Sequence, residues 1–76
     1  MLPIDDNLAP DPAAFGLAIR ARRRAVGVTQ QQLADVIGVN RRVVGQLEHG
    51  KRTVRLEIAL SAAQAVGLDV NMRERS

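Results

Sequence analysis

The segment from Thr29 to Gly50, TQQQLADVIGVNRRVVGQLEHG, constrains the fold more than any other part of the chain, because it packs two helix-start signals and two stop signals into a short span. Thr29 precedes Gln32 by three residues, the spacing of a capping box in which each residue satisfies a backbone N–H of the other. Leu33, Ala34 and Ile37 give the first helix one apolar side, Gly38 ends it, and Asn40 caps the next. Val39, alone between glycine and cap, is expected to pin the turn to a core. On a helical wheel at about 100° per residue, Val44 and Leu47 of the second helix point inward, with Val43 at the margin. Arg41, Arg42, Gly45, Gln46 and His49 occupy the opposite arc. The segment therefore predicts two short helices joined by a tight turn, the second with a basic and amide outer face. Glycine at position 45 either permits a close approach from outside or is simply tolerated, at about 1 kcal/mol relative to alanine.

The flanking sequence extends the helical pattern. Asp11-Pro12 opens a first helix, with an acceptor at the cap and proline where its missing N–H is harmless. Phe15, Ala18, Ile19, Arg22 and Val26 recur at 3-4 spacing, and Gly27 ends that helix. Phe15, the only aromatic residue, is expected to anchor the core, and its solitude argues against a stacking platform for single strands. After Gly50, Lys51-Arg52-Thr53 reads as a basic loop. A fourth helix is expected from about Arg55 to Val66, with Thr53 as a possible cap and Leu56, Ala59, Leu60, Ala63 and Val66 as its packing face. Beyond Gly67 the period changes: Leu68, Val70 and Met72 alternate with polar residues, as in a half-buried strand. The expected fold is thus all-α, with a short C-terminal β-strand. Such a strand has no partner within the chain, so it is expected to pair across a homodimer; the competing reading is a tail resting on the core.

A chain of 76 residues makes one domain with a modest core, and no cysteine and one histidine leave neither disulfides nor a metal site to support it. No cofactor is expected. A convergent catalytic set is absent as well, so an enzyme is not expected. No apolar stretch approaches the roughly 20 residues of a membrane span, and the acidic start lacks the basic region of a signal peptide. The cytoplasm is the expected location. Residues 1–10, with Asp5, Asp6 and several turn formers, read as a flexible arm.

The net charge is only +3, yet residues 20–55 hold nine basic residues (Arg20, Arg22, Arg23, Arg24, Arg41, Arg42, Lys51, Arg52 and Arg55) against Asp35 and Glu48. That concentration attracts a polyanion. A duplex reader needs residues that hold phosphates and others that read base edges. Gln30, at the first turn of the second helix, and Lys51 and Arg52, past the third, suit the former. Arg41 and Arg42 suit guanine, Gln46 suits adenine, and Val43 suits a thymine methyl; the plain competitor for each is a solvated helix face. Glu48 is misplaced on a surface facing phosphate. At the inner edge of its helix it is better used as a partner of Arg23 or Arg20, and breaking one half of such a pair is expected to be worse than replacing both.

Ile19-Arg20, Arg23, Gly27-Val28-Thr29-Gln30, Leu33-Ala34, Gly38-Val39, Val44 and Leu47-Glu48-His49-Gly50 together resemble the lambda-repressor-like, Cro/C1-type helix-turn-helix family over roughly residues 12–67. The resemblance implies a DNA-binding domain of four to five helices, an Arg23–Glu48 pair, Gln30 on a phosphate, and Arg41, Arg42 and Gln46 at base-reading positions. Arg22 departs from the usual apolar residue and Val54 from a common proline. Asp11-Pro12 and Gly67-Leu68-Asp69-Val70-Asn71-Met72 look like the HipB subgroup of type II antitoxins. That likeness implies a homodimer on a palindromic operator, autorepression and binding to a HipA-type Ser/Thr kinase toxin; the alternative is a Cro/C1-type regulator without a toxin.

Overall fold

The computed structural model describes residues 11–70. The expected arm at 1–10 and the stretch from Asn71, including Met72, lie outside them. Four helices follow in order, α1 (Pro12–Ala25), α2 (Gln30–Ile37), α3 (Arg41–Glu48) and α4 (Leu56–Ala65). The starts of the first three are set locally. Asp11 accepts from the Ala14 N–H at 2.9 Å, and Asn40 accepts from the Val43 N–H at 3.1 Å. Thr29 and Gln32 exchange both bonds of the capping box. Gly38 closes α2 in the left-handed conformation at φ 78, where a Cβ is disfavoured, and Val39 packs against the core beneath it.

Ile19 of α1, Leu33 and Ala34 of α2, Val44 and Leu47 of α3, and Ala62 and Ala63 of α4 form the buried core, closed by Val66. Here α2 packs on both α3 and α4, while α1 packs on α3. The α1–α3 crossing is unusually close. A Cβ at Gly16 would collide with the Leu47 carbonyl oxygen and stand 2.7 Å from that of Glu48, and one at Gly50 would stand 2.7 Å from the Ala13 Cα. Both positions therefore admit only glycine without backbone movement.

Several expectations are corrected by the packing. On α4 the buried stripe is Ala62, Ala63 and Val66, flanked by Ala59, whereas Leu56 and Leu60 are 72% and 42% exposed. Two apolar stripes share this helix, and the small one faces inward, where α4 packs on α2. Thr53 does not cap α4; Arg55 occupies the cap position with no side-chain bond. Val26 is the exposed C-cap of α1 and Ala18 is exposed too, so Val28 takes the core contact instead. Phe15 rests half-buried at the edge of the core, whose largest fully buried side chains are Ile19, Leu33 and Val44.

The two departures from the family pattern have physical roles. Arg22 Nε donates to the Val66 carbonyl at 3.0 Å, so a cation on the inner side of α1 satisfies the C-terminal end of α4. Val54 packs against the core, and its N–H makes a long 3.4 Å bond to the Lys51 carbonyl that proline would lack. At the other end Leu68 donates its N–H to the Ala63 carbonyl at 2.8 Å and packs against the core. Residues 68–70 carry no strand, Val70 is 40% exposed, and the rest of the expected strand lies outside the described residues.

The contrast between two helical glycines is testable. Gly16→Ala is expected to destabilise the protein by about 1–3 kcal/mol through overpacking. Gly45→Ala, where a Cβ meets nothing within 4 Å, is expected to stabilise it by about 0.5–1 kcal/mol. Urea unfolding of both variants checks the sign of each change.

Candidate nucleic-acid interface

The inner side of α3 is fixed by Val44, Leu47 and Glu48, all buried. That leaves Arg41 and Arg42 exposed, with Val43 and Gln46 half-buried beside them. Gly50 and Lys51 then donate to the Leu47 and Gln46 carbonyls, each at 3.0 Å, and Lys51 and Arg52 project from the turn that follows. The four residues expected to read bases thus sit together on one short helix, with two of the expected phosphate contacts immediately after it.

Glu48 is the one buried charged residue among those described, at 6% exposure. Arg23 Nε donates to its Oε2 at 2.6 Å and Arg23 Nη2 to its Oε1 at 3.2 Å. The remaining nitrogen, Arg23 Nη1, donates to the Val28 carbonyl at 2.9 Å. One guanidinium therefore ties α1 to α3 and to the loop before α2. Burial by itself pushes the Glu48 carboxyl up, but hydrogen bonds from Arg23 and Gln30 and the charges of Arg23 and Arg20 outweigh it, so the carboxyl is held below its ordinary range.

Gln30 serves a role that sequence reasoning did not find. Its Nε2 donates to Glu48 Oε1 at 3.0 Å, and its Oε1 accepts from Arg41 Nη1 at 3.4 Å. The amide thus bridges the buried pair to Arg41, the first residue of α3. These partners lie 18 and 11 residues away, so no local spacing announces them. His49 Nδ1 lies 2.8 Å from the Gly45 carbonyl oxygen at the C-terminus of α3. Among the described residues no group of His, Cys, Asp or Glu is arranged to hold a metal. No helix there is long and apolar enough to cross a membrane. Beside the pair lies an open groove of about 770 Å3, whose walls include Arg20, Arg24, Gln31 and Arg41.

A helix-turn-helix model matches residues 19–71. An uncharacterized HTH-type transcriptional regulator of Methanothermobacter thermautotrophicus is 39% identical over 49 residues, covering 64% of this chain and 71% of that protein. The restriction-modification controller protein C.AhdI of Aeromonas hydrophila superposes with a TM-score of 0.68 at 35% identity, covering 87% of this chain and 93% of that one. A chain of the HipA-HipB-O2-O3 complex gives a TM-score of 0.76 at 20% identity, with all of both chains covered, a likeness of fold. The chain belongs to the helix-turn-helix family of DNA-binding transcriptional regulators, a non-catalytic class.

The lowered carboxyl has a definite consequence for stability. Its folded-state value lies below its unfolded one, so its contribution is fully present above the ordinary glutamate range and is lost as pH falls through the lowered value. Chemical unfolding between pH 7 and pH 3 is expected to show stability falling on acidification, with a shallower fall in Glu48→Gln, which starts from a lower stability.

Proposed function

We propose that the chain is a homodimeric repressor that reads a palindromic operator through Arg41, Arg42, Val43 and Gln46 and grips its backbone through Gln30, Lys51 and Arg52. The observation that carries this reading is the division of α3 into a buried side of Val44, Leu47 and Glu48 and an outer side with Arg41 and Arg42. Arginine offers paired donors to guanine O6 and N7, and glutamine the donor and acceptor that suit adenine. Gln30 Nε2 gives one proton to Glu48, and an amide nitrogen has a second to offer a phosphate. Two such helices related by symmetry would meet half-sites roughly 34–36 Å apart, or a multiple of that.

Exposed Leu56 and Leu60, one turn apart on α4, and exposed Val70 supply apolar surface for the homodimer, to which Leu68, Val70 and Met72 contribute the seam. In its finer role the protein is a HipB-like antitoxin that neutralises a HipA-type Ser/Thr kinase toxin and represses its own operon in the cytoplasm. The likeness of fold to a chain of the HipA-HipB-O2-O3 complex supports this. A second reading, a regulator without a toxin, is favoured by the higher identity to the restriction-modification controller protein.

Two measurements test these levels separately. Arg42→Ala or Gln46→Ala is expected to weaken binding to the preferred operator by about 1–3 kcal/mol more than binding to random duplex. Lys51→Ala or Arg52→Ala is expected to weaken both alike; equal losses for all four variants would remove the base-reading role. For the partner, co-expression with a kinase-like gene from the same operon is expected to yield a co-purifying complex and to rescue growth. A kinase that stays toxic and unbound would leave the regulator without a toxin.

A further inference from the structure

The arginines of α1 are not all used by the fold. Arg22 is spent on the Val66 carbonyl and Arg23 on Glu48 and Val28. Arg20 and Arg24 are exposed, line the same groove as Arg41, and make no ion pair among the described residues. The groove contains a single carboxylate, that of Glu48, and both its oxygens already accept hydrogen bonds from Arg23 and Gln30. Arg24 and Arg41 therefore line the groove without a carboxylate partner among the described residues, and Arg20 beside them feels Glu48 only through its charge.

That start adds donors of its own. The first four N–H groups of a helix have no intrahelical partner. The capping box satisfies those of Thr29 and Gln32, while Gln30 and Gln31, whose N–H groups lie in the first turn, line the groove. Exposed guanidinium groups, together with the positive end of the α2 dipole, make a surface for a phosphodiester rather than for a neutral or cationic group.

We infer that Arg20 and Arg24 form a second phosphate-binding edge on α1, which holds the DNA backbone across the groove from α3. The inference rests on reading the chain as a duplex-DNA binder and adds to it two positioning residues on a helix outside the helix-turn-helix pair. These contacts carry no base information, so they set affinity and docking angle without setting sequence preference.

Arg24 gives the cleaner test, because Arg20 also stabilises the Glu48 carboxylate by its charge. Binding of wild type, Arg24→Ala, Arg24→Lys and Arg55→Ala to one palindromic operator and to random duplex would be measured from about 50 to 200 mM salt. Arg55 is exposed and paired with Glu57 at 3.6 Å, outside the groove, and controls for net charge. Loss of a phosphate contact is expected to make the slope of log K against log salt shallower by about 0.9. Arg24→Ala should show that change on both duplexes with the operator preference retained, and Arg24→Lys should restore most of the slope. If Arg24→Ala changes the slope no more than Arg55→Ala, the α1 edge does not hold phosphate. If wild type itself binds neither duplex, the DNA-binding reading fails, and the α1 edge, having no backbone to hold, fails with it.

Discussion

A carboxylate removed from water must be given back its hydrogen bonds, and the Glu48 carboxylate obtains three, two from Arg23 and one from Gln30. Those donors come from two other helices, so satisfying one charge fixes α1, α2 and α3 at a common point. Helix α3 inherits its orientation from that point. Through Gln30 the constraint reaches Arg41, the first residue of α3 on the outer side, and a position exposed to a ligand becomes linked to an ion pair inside the fold. Whether such a pair adds net stability depends on desolvation, but removing one partner leaves an uncompensated charge at a cost of roughly 3–5 kcal/mol. For a domain of this size that is most of the folding free energy.

Small residues make the arrangement geometrically possible. Gly16 lets α1 lie directly on the end of α3, and Gly50 lets the chain leave α3 against Ala13. The alanines of α4 let it approach α2, leaving Leu56 and Leu60 for the outside. The core is therefore tight but small, and its specificity comes as much from close backbone approach and a polar hub as from apolar volume. Arg22 extends the same logic to the far end of α1, where a guanidinium closes the C-terminus of α4 and sets where the chain departs toward Leu68.

What was legible in the sequence follows the range of the interactions involved. Caps act over three residues, so Asp11, Thr29 with Gln32, and Asn40 could be read directly, as could the inward pair Val44 and Leu47. The inner position of Glu48 followed from the helical wheel, because a lone acid in a basic stretch invites a basic partner. The face of α4 was not legible, since two apolar stripes at helical spacing share it and only packing distance chooses between them. The same holds for Gln30, whose contacts to Glu48 and Arg41 exist only after α2 and α3 meet. Gly16 carries no local signal of its role, because the carbonyls it lies against belong to α3.

The charge layout completes the picture: Arg22 and Arg23 of α1 are bonded within the fold, Arg20, Arg24 and Arg41 are exposed along the groove, and Arg42, Lys51 and Arg52 are exposed on α3 and just after it. A double-mutant cycle with Arg23→Met and Glu48→Leu, read both by unfolding free energy and by affinity for the preferred operator, measures how far the buried pair sets the position of α3. Each single variant is expected to lose more stability and more operator affinity than the double variant, because each strands one buried charge. Losses that simply add, with the double variant worst in both measurements, would contradict that role of the pair.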